Sequence, residues 1–253
     1  MFSLDGKVAV AIGAGGVLAG AIAMGFAEAG ADVAVVDVNA DAARARADCV
    51  RQVGRRALAI QADATSKADL SRALDETLGG LGRVDILLNA AGINSGTPFF
   101  DITEQEWQRI LDVNLKSVFL ACQVFGKAMV DAGEGGSIIN ISSASSGPPL
   151  SKVFTYSVTK AGVNQITMFL AREFAPHRVR VNAILPGFFP AEQNRKLLTE
   201  ERVASIMKHT PMNRFGEACE LVGAAVYLAS ERAASFVTGS VLRVDGGFLA
   251  MTI

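Results

Sequence analysis

The stretch Lys7 to Asp37, KVAVAIGAGGVLAGAIAMGFAEAGADVAVVD, decides how the rest of the chain is read. Lys7 to Ile12 is a short apolar strand that runs into Gly13-Ala14-Gly15-Gly16. Val17 to Ala29 then reads as a helix of small residues, and Asp32 to Asp37 as a second apolar strand ending in a carboxylate. Strand, glycine turn, helix, strand: that order suits a dinucleotide. A helix N-terminus offers unpaired N–H groups and the positive end of a dipole to a pyrophosphate. Asp37 can then accept hydrogen bonds from the hydroxyls of the adenosine ribose.

The same segment invites a second reading, because Val8 to Ala27 is uncharged, matches the ~20 residues of a bilayer span, and contains Gly16-x-x-x-Gly20. Glycine and alanine dilute its apolarity, a strand is distinguishable before the glycines, and no basic flank marks a signal peptide. Gly16 and Gly20 are therefore expected to permit close helix packing, with no membrane partner.

Further along, helical and strand patterns alternate. Helices are expected over Ala40 to Val53 and Lys67 to Leu78, and strands over Ala57 to Gln61 and Val84 to Asn89. Thr103-x-x-Glu106 has the form of a capping box opening a helix toward Lys116, and Ile138 to Ser142 is another buried strand. A strand over Arg178 to Leu185 stops at Pro186, helices follow over Glu192 to His209 and Ala218 to Ala229, and Val241 to Val244 is a last short strand. Seven strands separated by helices imply an α/β chain: a single domain over residues 1–253 with a doubly wound parallel sheet, the Rossmann arrangement. Ligands bind such sheets outside the carboxyl ends of the strands.

Near one of those ends stands Tyr156-Ser-Val-Thr-Lys160, with Ser143 upstream in Asn-Ile-Ser-Ser. Residues four apart on a helix share a face, so the ammonium of Lys160 is expected beside the phenol of Tyr156. A cation ~4 Å away at an effective dielectric of ~20 is worth up to ~4 kcal/mol, or roughly three pKa units. That would bring a phenol from about pH 10 toward neutrality.

With these pieces in order, the chain resembles the short-chain dehydrogenase/reductase family, single-domain branch, over essentially its full length. The resemblance rests on Gly13, Asp63, Asn89-Ala90-Ala91-Gly92, Asn114, Ser143, Tyr156, Lys160, Pro186-Gly187 and Val244-Asp245-Gly246-Gly247, in family sequence order. It implies a hydride exchanged between a nicotinamide and a secondary alcohol or ketone. Ser143 and Tyr156 would hold the substrate oxygen, Lys160 would assist and contact the nicotinamide ribose, and Asn114 would hold a water leading to solvent. It also implies that Gly13, Gly15, Gly16, Val17 and Leu18 surround the pyrophosphate, that Asp63 and Ala64 border the adenine, and that Asn89, Ala90 and Gly92 pass beneath the ribose. Pro186, Gly187 and Phe189 would hold the nicotinamide end. The charge of Asp37, with Val38 and Gly16 where a cation would favour a 2′-phosphate, points to NAD more than NADP. The family's usual assembly implies a homotetramer, for which the apolar tail Phe248 to Ile253 is suited.

The segment Pro186 to Arg195, PGFFPAEQNR, together with His209-Thr210-Pro211-Met212, resembles the subset acting on sugar acids, notably D-mannonate oxidoreductases (fructuronate reductases). Gln193, Asn194 and Arg195 suit hydroxyls and a carboxylate, and Ser145, Leu150, Lys152 and Phe189 complete the expected substrate set. There are departures from the family pattern. Ile12, Val17 and Ala19 stand where it has threonine or glycine, with Gly15, Gly16 and Gly20 placed to compensate, and Ala191 replaces a threonine.

Composition narrows the classes. Half the residues are hydrophobic and the net charge is -1, which gives no electrostatic case for nucleic acid. Cys49, Cys122 and Cys219 are scattered, and His177 and His209 are distant, so neither a disulfide framework nor a metal site is expected; a cytoplasmic setting fits. Three functions remain: an NAD-dependent sugar-acid dehydrogenase, an NADPH-dependent 3-oxoacyl-type reductase, and a catalytically silent nucleotide-binding regulator.

Overall fold

A computed structural model describes residues 1–148, 150–190 and 199–251. Its strands are β1 (Val8–Ile12), β2 (Asp32–Asp37), β3 (Ala57–Gln61), β4 (Ile86–Asn89), β5 (Gly136–Ile141), β6 (Val179–Pro186) and β7 (Val241–Val244). Their order across the sheet is β3-β2-β1-β4-β5-β6-β7, and every neighbouring pair is parallel. The order reverses between β1 and β4, so the loops leaving these two strands turn to opposite sides and open a crevice at their carboxyl ends.

β1 shows why the sheet sits where it does. All five residues are buried. Val8, Val10 and Ile12 enter one core with Leu87, Phe125 and Ile138, while Ala9 and Ala11 enter the other with Phe26, Val33 and Leu228. Each fully buried branched side chain contributes roughly 1.5–3 kcal/mol. The small residues on the second face let α1 (Val17–Glu28) lie close to the strands. The uncharged run Val8 to Ala27 is thus strand, turn and core helix, with no continuous span. Another helical run, Glu104–Ala132, is long and apolar enough to cross a bilayer, but half of its apolar window is buried inside the fold.

The remaining helices cover the two faces: α2 (Ala40–Gln52), α3 (Lys67–Leu81), α4 (Glu104–Leu111), α5 (Ser117–Ala132), α6 (Phe154–Phe174), α7 (Glu200–His209), α8 (Val222–Ala229) and α9 (Glu231–Ala234). Gly20 admits α2 against α1, since a Cβ there would meet the guanidinium of Arg46 at 2.5 Å. Gly16 does not act in that way. Its added Cβ would meet only the carbonyl oxygen of Gly13, at 3.3 Å.

Two local expectations need correction. Thr103 caps α4 by accepting from the Glu106 N–H at 3.1 Å, but the Glu106 carboxylate accepts from the Thr97 hydroxyl at 2.9 Å, so only half of the capping box forms. Between α4 and α5 the helix widens into a π turn, Asp112–Lys116, and Asn114 lies inside it, fully buried. Wide turns of this kind are recurrent where a helix must present one side chain out of register.

Candidate active site

The carboxyl ends of β1, β2, β4 and β5 border a cavity of about 1460 Å3, and a second cavity of about 120 Å3 lies between β6, the loop after β5 and α7. Leu18, Asn94, Ile141 and Tyr156 line both. Tyr156 therefore stands in the wall common to a long groove and a compact pocket. That is where two reactants entering from different sides would meet.

Helix α6 carries Tyr156 and Lys160 one turn apart, facing the end of β5. Lys160 is 3% exposed, and its Nζ donates to the carbonyl oxygen of Ile141 at 2.7 Å. Burial lowers its pKa to about 8. The ammonium lies 5.5 Å from the centre of the Tyr156 ring. Burial pushes the Tyr156 phenol above its usual value, and a hydrogen bond with Ser143 opposes this in part. The expected acidification by Lys160 is therefore not present in the protein alone: desolvation of the phenolate outweighs a cation that is bound to a main-chain oxygen.

Ser143 follows β5 in extended conformation, and its Oγ accepts twice, from the Ser145 N–H at 3.2 Å and the Ser145 hydroxyl at 3.1 Å. With its lone pairs engaged, the Ser143 proton is left to donate outward. Ser145, expected to touch substrate, lines the smaller cavity but spends its hydroxyl on Ser143. Asn114 accepts from the Ile93 N–H at 2.7 Å and donates to the Ile93 carbonyl at 2.8 Å and to Thr159 at 3.2 Å. Its amide thus ties the loop after β4 to α6, which leaves little of the side chain for the expected water.

The larger cavity is lined by Gly13, Gly15, Gly16, Val17, Leu18, Asp37, Asp63, Ala64, Ala90, Gly92, Tyr156 and Lys160. Gly13 is held at φ +79°, and a Cβ there would lie 2.8 Å from the Ala91 nitrogen, so the turn has no room for a side chain. Asp37 accepts from the Gly15 N–H and the Asn39 N–H, both at 2.9 Å, which fixes its carboxylate at the rim of the turn. Val17 is half-exposed at the start of α1 and Ala19 is buried, so neither departure closes the cradle. A glycine turn under a helix N-terminus with a carboxylate beside it fits a dinucleotide.

Asn89 is a correction. It is buried and lines neither cavity; its Nδ2 donates to Asn140 Oδ1 at 2.9 Å and lies 3.5 Å from the sulfur of Cys122. Side chains alternate along a strand, and this one points into the core between β4, β5 and α5. Burial raises the Cys122 thiol to about 12.

Pro186, Gly187, Phe189 and Leu150 line the smaller cavity. Lys152 is exposed, at φ +66°, and is not among the lining residues. Gln193, Asn194, Arg195 and Ala191 lie outside the described residues, as does the end of the tail, residues 252–253. His209 packs edge-on against Phe248, with centroids 4.8 Å apart. The sequence reading missed one wall of the larger cavity, formed by Gln105, Gln108, Arg109 and Asp112. Their spacing of three, four and seven marks one helical face. It also missed Asn94, Arg202 and Phe215 in the smaller one.

Comparison with known proteins agrees with this geometry. Residues 13–249 match the family model described as enoyl-(acyl carrier protein) reductase. The 2-dehydro-3-deoxy-D-gluconate 5-dehydrogenase of Escherichia coli (strain K12) is 36% identical, over 98% of this chain and 98% of its own length. The crystal structure of a gluconate 5-dehydrogenase from Burkholderia cenocepacia J2315, in complex with NADP and tartrate, superposes with a TM-score of 0.94 at 34% identity, covering 99% of this chain and 98% of that one. A proposed D-mannonate oxidoreductase from Haemophilus influenza with bound NAD superposes at 0.93 with 34% identity, covering 99% and 97%.

Proposed function

The chain belongs to the short-chain dehydrogenase/reductase family and is an oxidoreductase acting on CH–OH groups with a nicotinamide cofactor; from that premise we propose that its substrate is a sugar acid of the mannonate or fructuronate kind and its preferred cofactor NAD. The observation that carries the reading is the place of Tyr156 in the wall between the two cavities, with Ser143 beside it and Lys160 beneath. The larger cavity takes the dinucleotide and the smaller the substrate. A compact pocket suits a short polyhydroxylated acid better than an acyl chain or a steroid, which need a longer apolar slot.

When bound, the nicotinamide supplies the carbon that gives or accepts hydride. The chain's own residues do the rest. Ser143 and Tyr156 hydrogen-bond the substrate oxygen and hold its carbon in line for transfer. In reduction, Tyr156 Oη delivers the proton; in oxidation, the same oxygen removes it. Ser145 keeps the Ser143 proton directed at the reacting oxygen. Lys160, charged below about pH 8, would hold the ribose of a bound nicotinamide nucleotide and, with that cofactor in place, would add a positive charge beneath the Tyr156 phenol. Asn114 acts at one remove by fixing the Ile93 loop and Thr159.

Asp37 supports NAD, because a carboxylate held at the rim would repel a 2′-phosphate, and Val38 beside it is 65% exposed and uncharged. NADP is the second reading, favoured by the Burkholderia relative that binds it. Large exposed side chains Phe119 on α5 and Val158 and Phe169 on α6 support the homotetramer, three unpaired cysteines support a cytoplasmic setting, and the single sheet that borders both cavities supports one domain over residues 1–253. The 3-oxoacyl-type and silent-regulator alternatives find no comparable support in the compact pocket and the assembled Ser143–Tyr156 pair.

The test is spectrophotometric. Purified protein, NAD and a panel of hexonates should give a rise at the reduced-nicotinamide band, and Tyr156→Phe should lower kcat at least ~1000-fold while NAD still raises the melting temperature. Faster turnover of acyl thioesters with NADPH, or an active Tyr156→Phe, would overturn the reading.

A further inference from the structure

The smaller cavity contains a charge that the reaction itself does not need. Arg202 lies in the first turn of α7; among the described residues that line the cavity it is the one cation, and none is acidic. Among the described residues, Leu150, Val153, Phe188, Phe189 and Phe215 give that wall an apolar side. The guanidinium is held by two neutral oxygens, the Ser151 carbonyl at 3.1 Å and the Ser151 hydroxyl at 3.3 Å. Among the described residues no carboxylate forms an ion pair with it; the adjacent Glu200 and Glu201 do not turn back to it. A guanidinium fixed in orientation but not neutralised, beside an apolar wall, is arranged for an anion arriving from outside the chain.

We infer that Arg202 is the specificity-determining residue that selects an acidic substrate, gripping its carboxylate while Ser143 and Tyr156 hold the carbon that reacts. The inference rests on the sugar-acid reading and deepens it. Ser143, Tyr156 and Arg202 border the same pocket, so a short molecule anchored at the hydroxyl pair presents its other polar end to a wall that carries the Arg202 cation. A planar fork meets a carboxylate through two parallel hydrogen bonds, which an ammonium cannot reproduce. Ser151 sets the plane of that fork through its two contacts and ties α7 to the loop before the catalytic helix. The recognition therefore depends on charge and on shape together.

The experiment compares a six-carbon aldonate with the hexitol of the same configuration, each as sole substrate with saturating cofactor, for the wild type, Arg202→Lys, Arg202→Gln and Arg202→Ala. Glutamine keeps a donor for Ser151 but loses the charge, and lysine keeps the charge but loses the fork. The acid-to-polyol ratio of kcat/KM should fall roughly 10- to 100-fold in Arg202→Gln, mainly through the KM of the acid, with Arg202→Lys in between. Guanidinium ion added to Arg202→Ala should restore part of the turnover of the acid and leave that of the hexitol unchanged, whereas repair of a merely structural contact with Ser151 would raise both. A wild type that prefers the acid, with an Arg202→Gln ratio unchanged, overturns the role of Arg202 and leaves the sugar-acid reading standing. A wild type that prefers the hexitol overturns both.

Discussion

Replacing Lys160 with methionine should make the cofactor-free protein more stable at neutral pH. The magnitude follows from its ionisation: pKa about 8 in the fold against 10.5 for the free group is 2.5 units (10.5 minus 8), or ~3 kcal/mol against the charged form at ~1.36 kcal/mol per unit. Between these two values the unfolded chain binds more protons, so wild-type stability rises with pH through that window. The penalty is in full force below about pH 8 and fades toward 10.5. Methionine keeps the side-chain volume but leaves the Ile141 carbonyl without its 2.7 Å partner. Because Ile141 borders the larger cavity, water can take that place, and the loss is about 1 kcal/mol. The net gain of ~2 kcal/mol should raise the melting temperature by about 5 °C in a chain of this length. Thermal unfolding followed by far-UV circular dichroism, from about pH 6.5 to 9.5, should show the two proteins converging as pH rises. A variant that melts below the wild type at pH 7, or a gap that does not change with pH, would refute a charged and desolvated Lys160.

Other outcomes are expected from the same geometry. Asp37→Ser combined with Val38→Arg should shift the preference for NAD over NADP by at least ~100-fold toward NADP, read as the ratio of kcat/KM values; an unchanged ratio would remove Asp37 from cofactor choice. Ser145→Ala should lower kcat ~10-fold with little change in KM, since it loosens Ser143 without touching substrate; a rise in KM alone would put Ser145 back in direct contact with the substrate.

Much of the fold was readable because β1, β2, β3 and β7 have clear apolar runs and turn residues on both sides. β2, β3 and β7 keep the limits expected of them, and the catalytic pair is a matter of helical spacing. The charge balance around Tyr156 was not readable in the same way. Sequence places Lys160 on the right face, but only coordinates show its Nζ bound to Ile141 and the phenol desolvated. Asn89 failed for a related reason: its position at the end of β4 was correct, whereas the pleat decides which way it points. The π turn at Asn114 also had no local signal, since Asp-Val-Asn-Leu-Lys is ordinary helical sequence. Arg202 lines the smaller cavity beside residues of β5, β6 and α6 that are distant in sequence, a tertiary neighbourhood that spacing does not reveal.

The hydrogen-bonded row beneath the site bears on how such a protein can change over time. Asn89 joins Asn140 across the two central strands, and Asn140 joins Thr167 on α6 at 2.9 Å. This ties the catalytic helix to the two central strands from within the core, independently of any loop. Substitutions in the walls around Arg202, Phe189 or Leu150 can then exchange one substrate for another while the proton donor keeps its position. Adaptation to a new nutrient, or redesign in the laboratory, has its freedom in the rim and its constraint in the braced core.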